Sequence, residues 1–208
     1  MVLDYLVSAL VTLLVVVDPI GLAPTFLAVT QGLPVAARRQ IALRACLIAG
    51  AILAGTALIG DWLLAKLAIT LPAFRIAGGL LLFAVASEMV FGARAERQSK
   101  EAEEAVEEHV RDVAAFPLAI PLMAGPGAIT ATLLLSGQAH GQPLLLAGLL
   151  RVIAVVAAVC CGAFLIAERI ERLMGVTGST VLSRLLGVLL AALAVQFVID
   201  GVRVVLRG

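Results

Sequence analysis

The chain has 208 residues, of which 62% are hydrophobic and only 14% charged, with a net charge of +1. A water-soluble domain carries roughly 25% charged residues and needs them to cover its surface, so this composition excludes a soluble fold. The small net charge gives no footprint for nucleic acid, and long unbroken apolar runs favour membrane helices over barrel strands, which would alternate polar and apolar residues.

The N-terminus, MVLDYL, lacks the basic stretch and cleavage motif of a signal peptide and runs straight into an apolar segment, read as the first span. Between Asp4 and Arg38 the only charge is Asp18, so one segment crosses there despite Pro19 and Pro24. Charge-free runs from Ala45 to Gly60 and Ile76 to Ser87 predict the second and third spans, with flanking Arg and Lys snorkelling to the interface. Glu88 is expected to be an interfacial or paired acid. Residues 93–112, ARAERQSKEAEEAVEEHVRD, are charge-rich and predict a solvated helix or flexible tether between two halves, 1–92 and 113–208. The next charge-free stretch, 113–150, is too long for one crossing and breaks near Gly141-Gln142-Pro143, giving the fourth span and the start of the fifth. The fifth continues through Val152 to Ala167, and the sixth covers Leu185 to Ile199. Cys46, Cys160 and Cys161 lie in apolar stretches with no spacing for a disulfide framework or a metal site, and no cofactor is expected.

The halves match when the sequence is shifted. A shift of 107 superposes Pro19 on Pro126, Thr25 on Thr132, Arg44 on Arg151 and Thr70 on Thr177. A shift of 109 superposes Pro34 on Pro143, Arg75 on Arg184, Gly78 on Gly187 and Gly92 on Gly201. Three spans per half is an odd number, so the second half enters from the opposite face. The predicted fold is all-α: six transmembrane helices arranged as two inverted three-helix repeats, an architecture that in secondary transporters holds substrate near the midplane. Loops on one side gather Arg38, Arg39, Arg94, Arg97, Lys100, Arg111, Arg169 and Arg172, against Lys66, Arg203 and Arg207 on the other. The positive-inside rule then makes the first side cytoplasmic and places both termini outside.

The first span of each half carries helix breakers inside the membrane: DPIGLAPT from Asp18 to Thr25, and PLMAGPGAIT from Pro121 to Thr130. Asp18 lies about 21 Å along a helix from Asp4, deep enough that broken backbone must line a cavity or be buried in protein. A half-helix starting near Pro19 or Pro126 would offer free N–H groups to a carboxylate, while freed carbonyls suit an ammonium or a cation. Asp18 matches Gly125 at a shift of 107, so the acid has no symmetry partner. It is suited to a substrate amine, to proton coupling, or to capping the half-helix that follows. Gly78, Gly79 and Gly187 are expected to let helices approach closely.

The segments DPIGLAPTFLAVTQG, RIAGGLLLFAVASEMVFG and PLAIPLMAGPGAIT resemble the hallmark segments of the MarC family of bacterial and archaeal inner-membrane proteins. The resemblance implies transport of small neutral amino acids such as glycine or alanine, with a proton or Na+ as a possible coupling ion. Its motif positions place Asp18, Pro19, Gly21, Pro24, Thr25, Gly125, Pro126, Gly127 and Thr130 around the cargo. A passive channel, or an exporter, for other small polar solutes is the competing expectation. An enzyme is not expected, because no span carries a nucleophile–base pair or a metal cluster. The oligomeric state is left open by the sequence.

Overall fold

The computed structural model describes residues 2–107 and 112–207, so positions 108–111 of the predicted tether lie outside the described residues. In chain order the helices are α1 (Val2–Val17), α2 (Leu22–Val29), α3 (Val35–Lys66), α4 (Leu71–Phe91) and α5 (Ala93–Glu107). An irregularly wound segment, Ala114–Met123, follows, and then α6 (Pro126–Gln138), α7 (Pro143–Leu165) and α8 (Ala167–Arg207). Among the described residues there is no strand.

Four stretches are long and apolar enough to cross a membrane: Val35–Gly60, Leu71–Phe91, Pro143–Leu165 and Thr177–Leu206. The remaining two candidates are bent pairs. α1 and α2 meet at 46°, and Ala114–Met123 meets α6 at 58°, so the described residues hold between four and six candidate spans. Both bends fall where the proline and glycine clusters predict them. Asp18 takes a left-handed φ of 54° at the end of α1, and Pro19 follows it, so the helix cannot continue.

Two details depart from expectation. The first half-helix starts at Leu22 rather than near Pro19, because the carboxylate of Asp18 fastens a turn at Gly21 before regular winding resumes. The second break has no regular helix ahead of it. Phe116 (φ −137°, ψ 124°) and Ile120 (φ −127°, ψ 122°) are extended, as residues preceding proline are driven to be, and Pro117 and Pro121 bring no N–H of their own. Beyond that break, α6 starts cleanly with Pro126 at its first position, where a proline's fixed φ suits the helix.

Large apolar side chains such as Leu47, Leu80, Leu144, Leu185 and Leu206 face outward, as lipid-facing residues do, while Leu13, Phe26, Leu82, Leu134, Leu149 and Leu190 are fully buried between helices. Small residues set the closest approaches, as their positions predict. A Cβ on Gly79 would lie 2.7 Å from the Ala194 carbonyl oxygen, one on Gly187 3.1 Å from that of Ala86, and one on Gly201 2.9 Å from that of Pro72. These contacts run in opposite senses along the two helices, so α4 and α8 pack antiparallel. α3 crosses α7 where Gly50 faces Ala157. The three cysteines are free: Cys46 and Cys160 are buried in the packing, and Cys161 is half-buried.

The charged segment between the halves is not simply solvated. Arg94, Gln98 and Ala102 are buried at four-residue spacing, which puts them on one face of α5. That face packs against α2, α4 and the wound segment 114–123. The exposed side of α5 keeps most of the acids, and its residues Ala105–Glu107 are described in backbone only.

Candidate functional site

The first break is built around one buried acid. Asp18 accepts the Gly21 N–H on one carboxylate oxygen at 3.0 Å, while Ser183 Oγ donates to the other. Its carbonyl accepts the Leu22 N–H at 3.1 Å. The carboxylate fastens the turn ahead of α2, whose N-cap residue is Gly21 and whose first turn has no side-chain cap. Ser179, one turn before Ser183 on α8, donates to the Ile20 carbonyl at 3.2 Å, so two serines on the last helix satisfy groups freed by the break. Gly21 is constrained by the same cluster, since a Cβ there would overlap the Asp18 carboxylate and sit 2.7 Å from Ser183 Oγ.

Asp18, Gly21, Pro24 and Thr25 line a small cavity of about 70 Å³, closed by Ser179, Thr180 and Ser183 from α8 and by Arg94, Gln98 and Ser99 from α5. Gly125, Pro126 and Gly127 line a different, larger cavity of about 380 Å³ with Val16, Val85, Glu88 and Pro121. Pro19 and Thr130 are buried and line neither. The two breaks therefore do not open into one chamber. What the cavities share is Arg94 and Gln98 of α5, which border both.

Arg94 is only 8% exposed and stands beside the end of α1, where its Nη2 donates to the Val16 carbonyl at 2.7 Å. Its Nη1 is buried with no hydrogen-bond partner. Burial pulls its pKa below the ordinary arginine value, and the nearby Asp18 charge works in the opposite direction. Neighbouring Arg97 is engaged by acids, with Glu88 at 2.8 Å and Glu101 at 3.8 Å. Glu88 is thus a paired acid, as its position near the end of the third span suggests. Arg44, for which both snorkelling and pairing with an acid were open, reaches Asp112 at 2.8 Å, and Arg38 reaches Glu168 at 2.7 Å.

At the second break the position matching Asp18 is Gly125, which brings no carboxylate. Gly125 precedes α6 in an extended conformation and no side chain caps the helix, so the first-turn N–H groups of Gly127 and Ala128 have no intrahelical acceptor. A Cβ on Gly125 would overlap the Pro121 carbonyl oxygen, which explains the glycine at this turn. The sequence reading located both breaks but missed Arg94, Gln98, Ser179 and Ser183. A visible signal existed only for the first two, in the four-residue spacing that continues to Ala102.

Helices of this length and hydropathy, two bent pairs and an apolar exterior define an α-helical, multi-pass membrane protein. A family model described as "MarC family integral membrane protein" matches residues 3–206, and the chain belongs to that family. It is 34% identical over 196 residues to UPF0056 membrane protein YhcE of Escherichia coli K12, covering 94% of this chain and 91% of that one. A UPF0056 membrane protein of Methanocaldococcus jannaschii is 35% identical, with 97% of each chain covered. UPF0056 membrane protein YvbG of Bacillus subtilis is 31% identical, with 98% of this chain and 96% of that one covered. No solved structure matches the chain.

Proposed function

We propose that this protein is a secondary transporter for small neutral amino acids in the cytoplasmic membrane, working by alternating access between two inverted halves. The observation that carries this reading is the pair of interior helix breaks, each forming the wall of a cavity, with Arg94 and Gln98 bordering both. Non-helical backbone at membrane depth is tolerated where it lines such cavities, and transporters build their substrate sites from it. A volume of about 380 Å³ lies within the range of ligand sites, ~300–1,000 Å³.

The inversion is supported by contacts that survive exchange of the halves. Gly50 faces Ala157, its own counterpart at the shift of 107, as happens beside a two-fold axis. Gly92 faces Arg184 and Gly201 faces Arg75, a pair of contacts that the shift of 109 turns into each other. The ring of Phe26 stacks on Phe164 at 4.6 Å, and the equivalent positions, Leu133 and Ala57, lie at the packed crossing of α6 and α3, where Ser136 Oγ donates to the Ala57 carbonyl. Antiparallel α4 and α8 fit the same operation.

In this reading the protein has no covalent chemistry, and a proton or Na+ supplies any coupling. Uptake and counterflow of labelled glycine or alanine into proteoliposomes tests it. Saturable flux accelerated by internal substrate is the expected result, and flux no greater than in empty vesicles for every amino acid tried sinks the reading. Flux that neither saturates nor responds to counter-substrate would instead identify a passive pore.

A further inference from the structure

We infer that Arg94, on the helix joining the two halves, is the carboxylate-binding residue of the larger cavity, acting with the N-terminal turn of α6; this rests on the amino-acid reading above. The guanidinium is 8% exposed, anchored through Nη2 to the Val16 carbonyl, and left with Nη1 buried and unpartnered. A charged donor in that state is expensive to maintain unless something else satisfies it. Among the described acids, Asp18 and Glu88 lie near enough to favour its charge, yet none hydrogen-bonds Nη1. Glu88 and Glu101 hold Arg97, and Asp18 is occupied by Gly21 and Ser183.

The same cavity is lined by Gly125, Pro126 and Gly127, so the uncapped start of a 13-residue helix contributes free N–H groups and the positive end of its dipole. An anion there receives charge-assisted hydrogen bonds from two directions. Glu101 Oε2, on the wall of that cavity, is also buried without a hydrogen-bond partner and is an acceptor for an ammonium. Donor and acceptor together match a zwitterion. A substrate with a second carboxylate would face Glu88 and Glu101, which selects neutral amino acids over acidic ones.

The test is calorimetric titration of the full chain in lipid nanodiscs with alanine, alaninamide and acetate. The expected result is that alanine binds at least about tenfold more tightly than alaninamide, which lacks the carboxylate. Arg94→Gln should remove about tenfold or more of the alanine affinity and a smaller share of the alaninamide affinity, and Arg94→Lys should restore part of the alanine loss. The comparison of alanine with alaninamide needs no variant, so it decides the matter even where a substitution at Arg94 prevents folding. Equal affinity for the two ligands, or full alanine affinity in Arg94→Gln, overturns the assignment and leaves transport standing. Acetate binding that Arg94→Gln abolishes, with no amino acid bound, supports the carboxylate site and overturns the amino-acid reading. No binding of alanine or acetate overturns both.

Discussion

At Asp18 and Gly21 the local chemistry of three residue types decides the backbone. Aspartate tolerates the left-handed region better than most residues, proline stops the preceding helix, and glycine leaves room for the carboxylate to turn back. Because both carboxylate oxygens already accept hydrogen bonds, Asp18→Asn should leave uptake near wild type, its amide keeping an oxygen for Gly21. Asp18→Ala removes both bonds and should destabilise the protein by about 1–3 kcal/mol, read from thermal melts in detergent. Gly21→Ala, which drives a methyl into the carboxylate, should melt early as well, and an unchanged melting temperature would show that Asp18 swings aside freely. These positions were legible in the sequence because their effects are local. Ser179 and Ser183 were not, since serines in an apolar helix are common and their partners lie more than 150 residues away.

Among the helices, glycine has no single meaning. Gly79 meets the backbone of α8, so Gly79→Val should cost about 1–3 kcal/mol through overpacking. Gly55 and Gly162 have nothing within 4 Å of a built Cβ, and alanine at either should be neutral or stabilise its helix by about 0.5–1 kcal/mol. Thermal melts of the three variants side by side separate the two classes. The close-packing role of Gly78, Gly79 and Gly187 was legible because small residues in an apolar helix have few other uses. The burial of α5 was not: its inward stripe begins with an arginine and a glutamine, which hydropathy assigns to water. The Val16 carbonyl, which Arg94 reaches, and the cavities beside α2 and α6 give those two side chains a reason to face inward.

For the whole molecule, the proposed repeat is readable in the sequence as a shift, whereas the contacts offered in its support needed coordinates. Gly50 and Ala157 belong to different halves, and a Cβ built on the first lies 3.6 Å from that of the second, within the range a disulfide spans, ~3.5–4.5 Å. With Cys46, Cys160 and Cys161 replaced by alanine, Gly50→Cys combined with Ala157→Cys should therefore cross-link under mild oxidation. Transport should stop when the bond forms and return on reduction if the halves rock about this crossing. Failure to cross-link would remove the crossing from the working conformation. The predicted orientation has its own check: Lys100→Cys should react with a membrane-impermeant maleimide in inside-out vesicles and not in intact cells. Strong labelling of intact cells would invert the topology.

The bond between Asp18 and Ser183 also constrains biogenesis. Spans are inserted as the chain emerges, and the donor to this carboxylate arrives 165 residues after the acid itself. Until α8 is in place, a buried acid waits at the bend of the first span with half its hydrogen bonding missing. Chains cut short before residue 183 should therefore be caught by membrane proteases rather than accumulate, because the keystone of the N-terminal bend is among the last pieces to be synthesised.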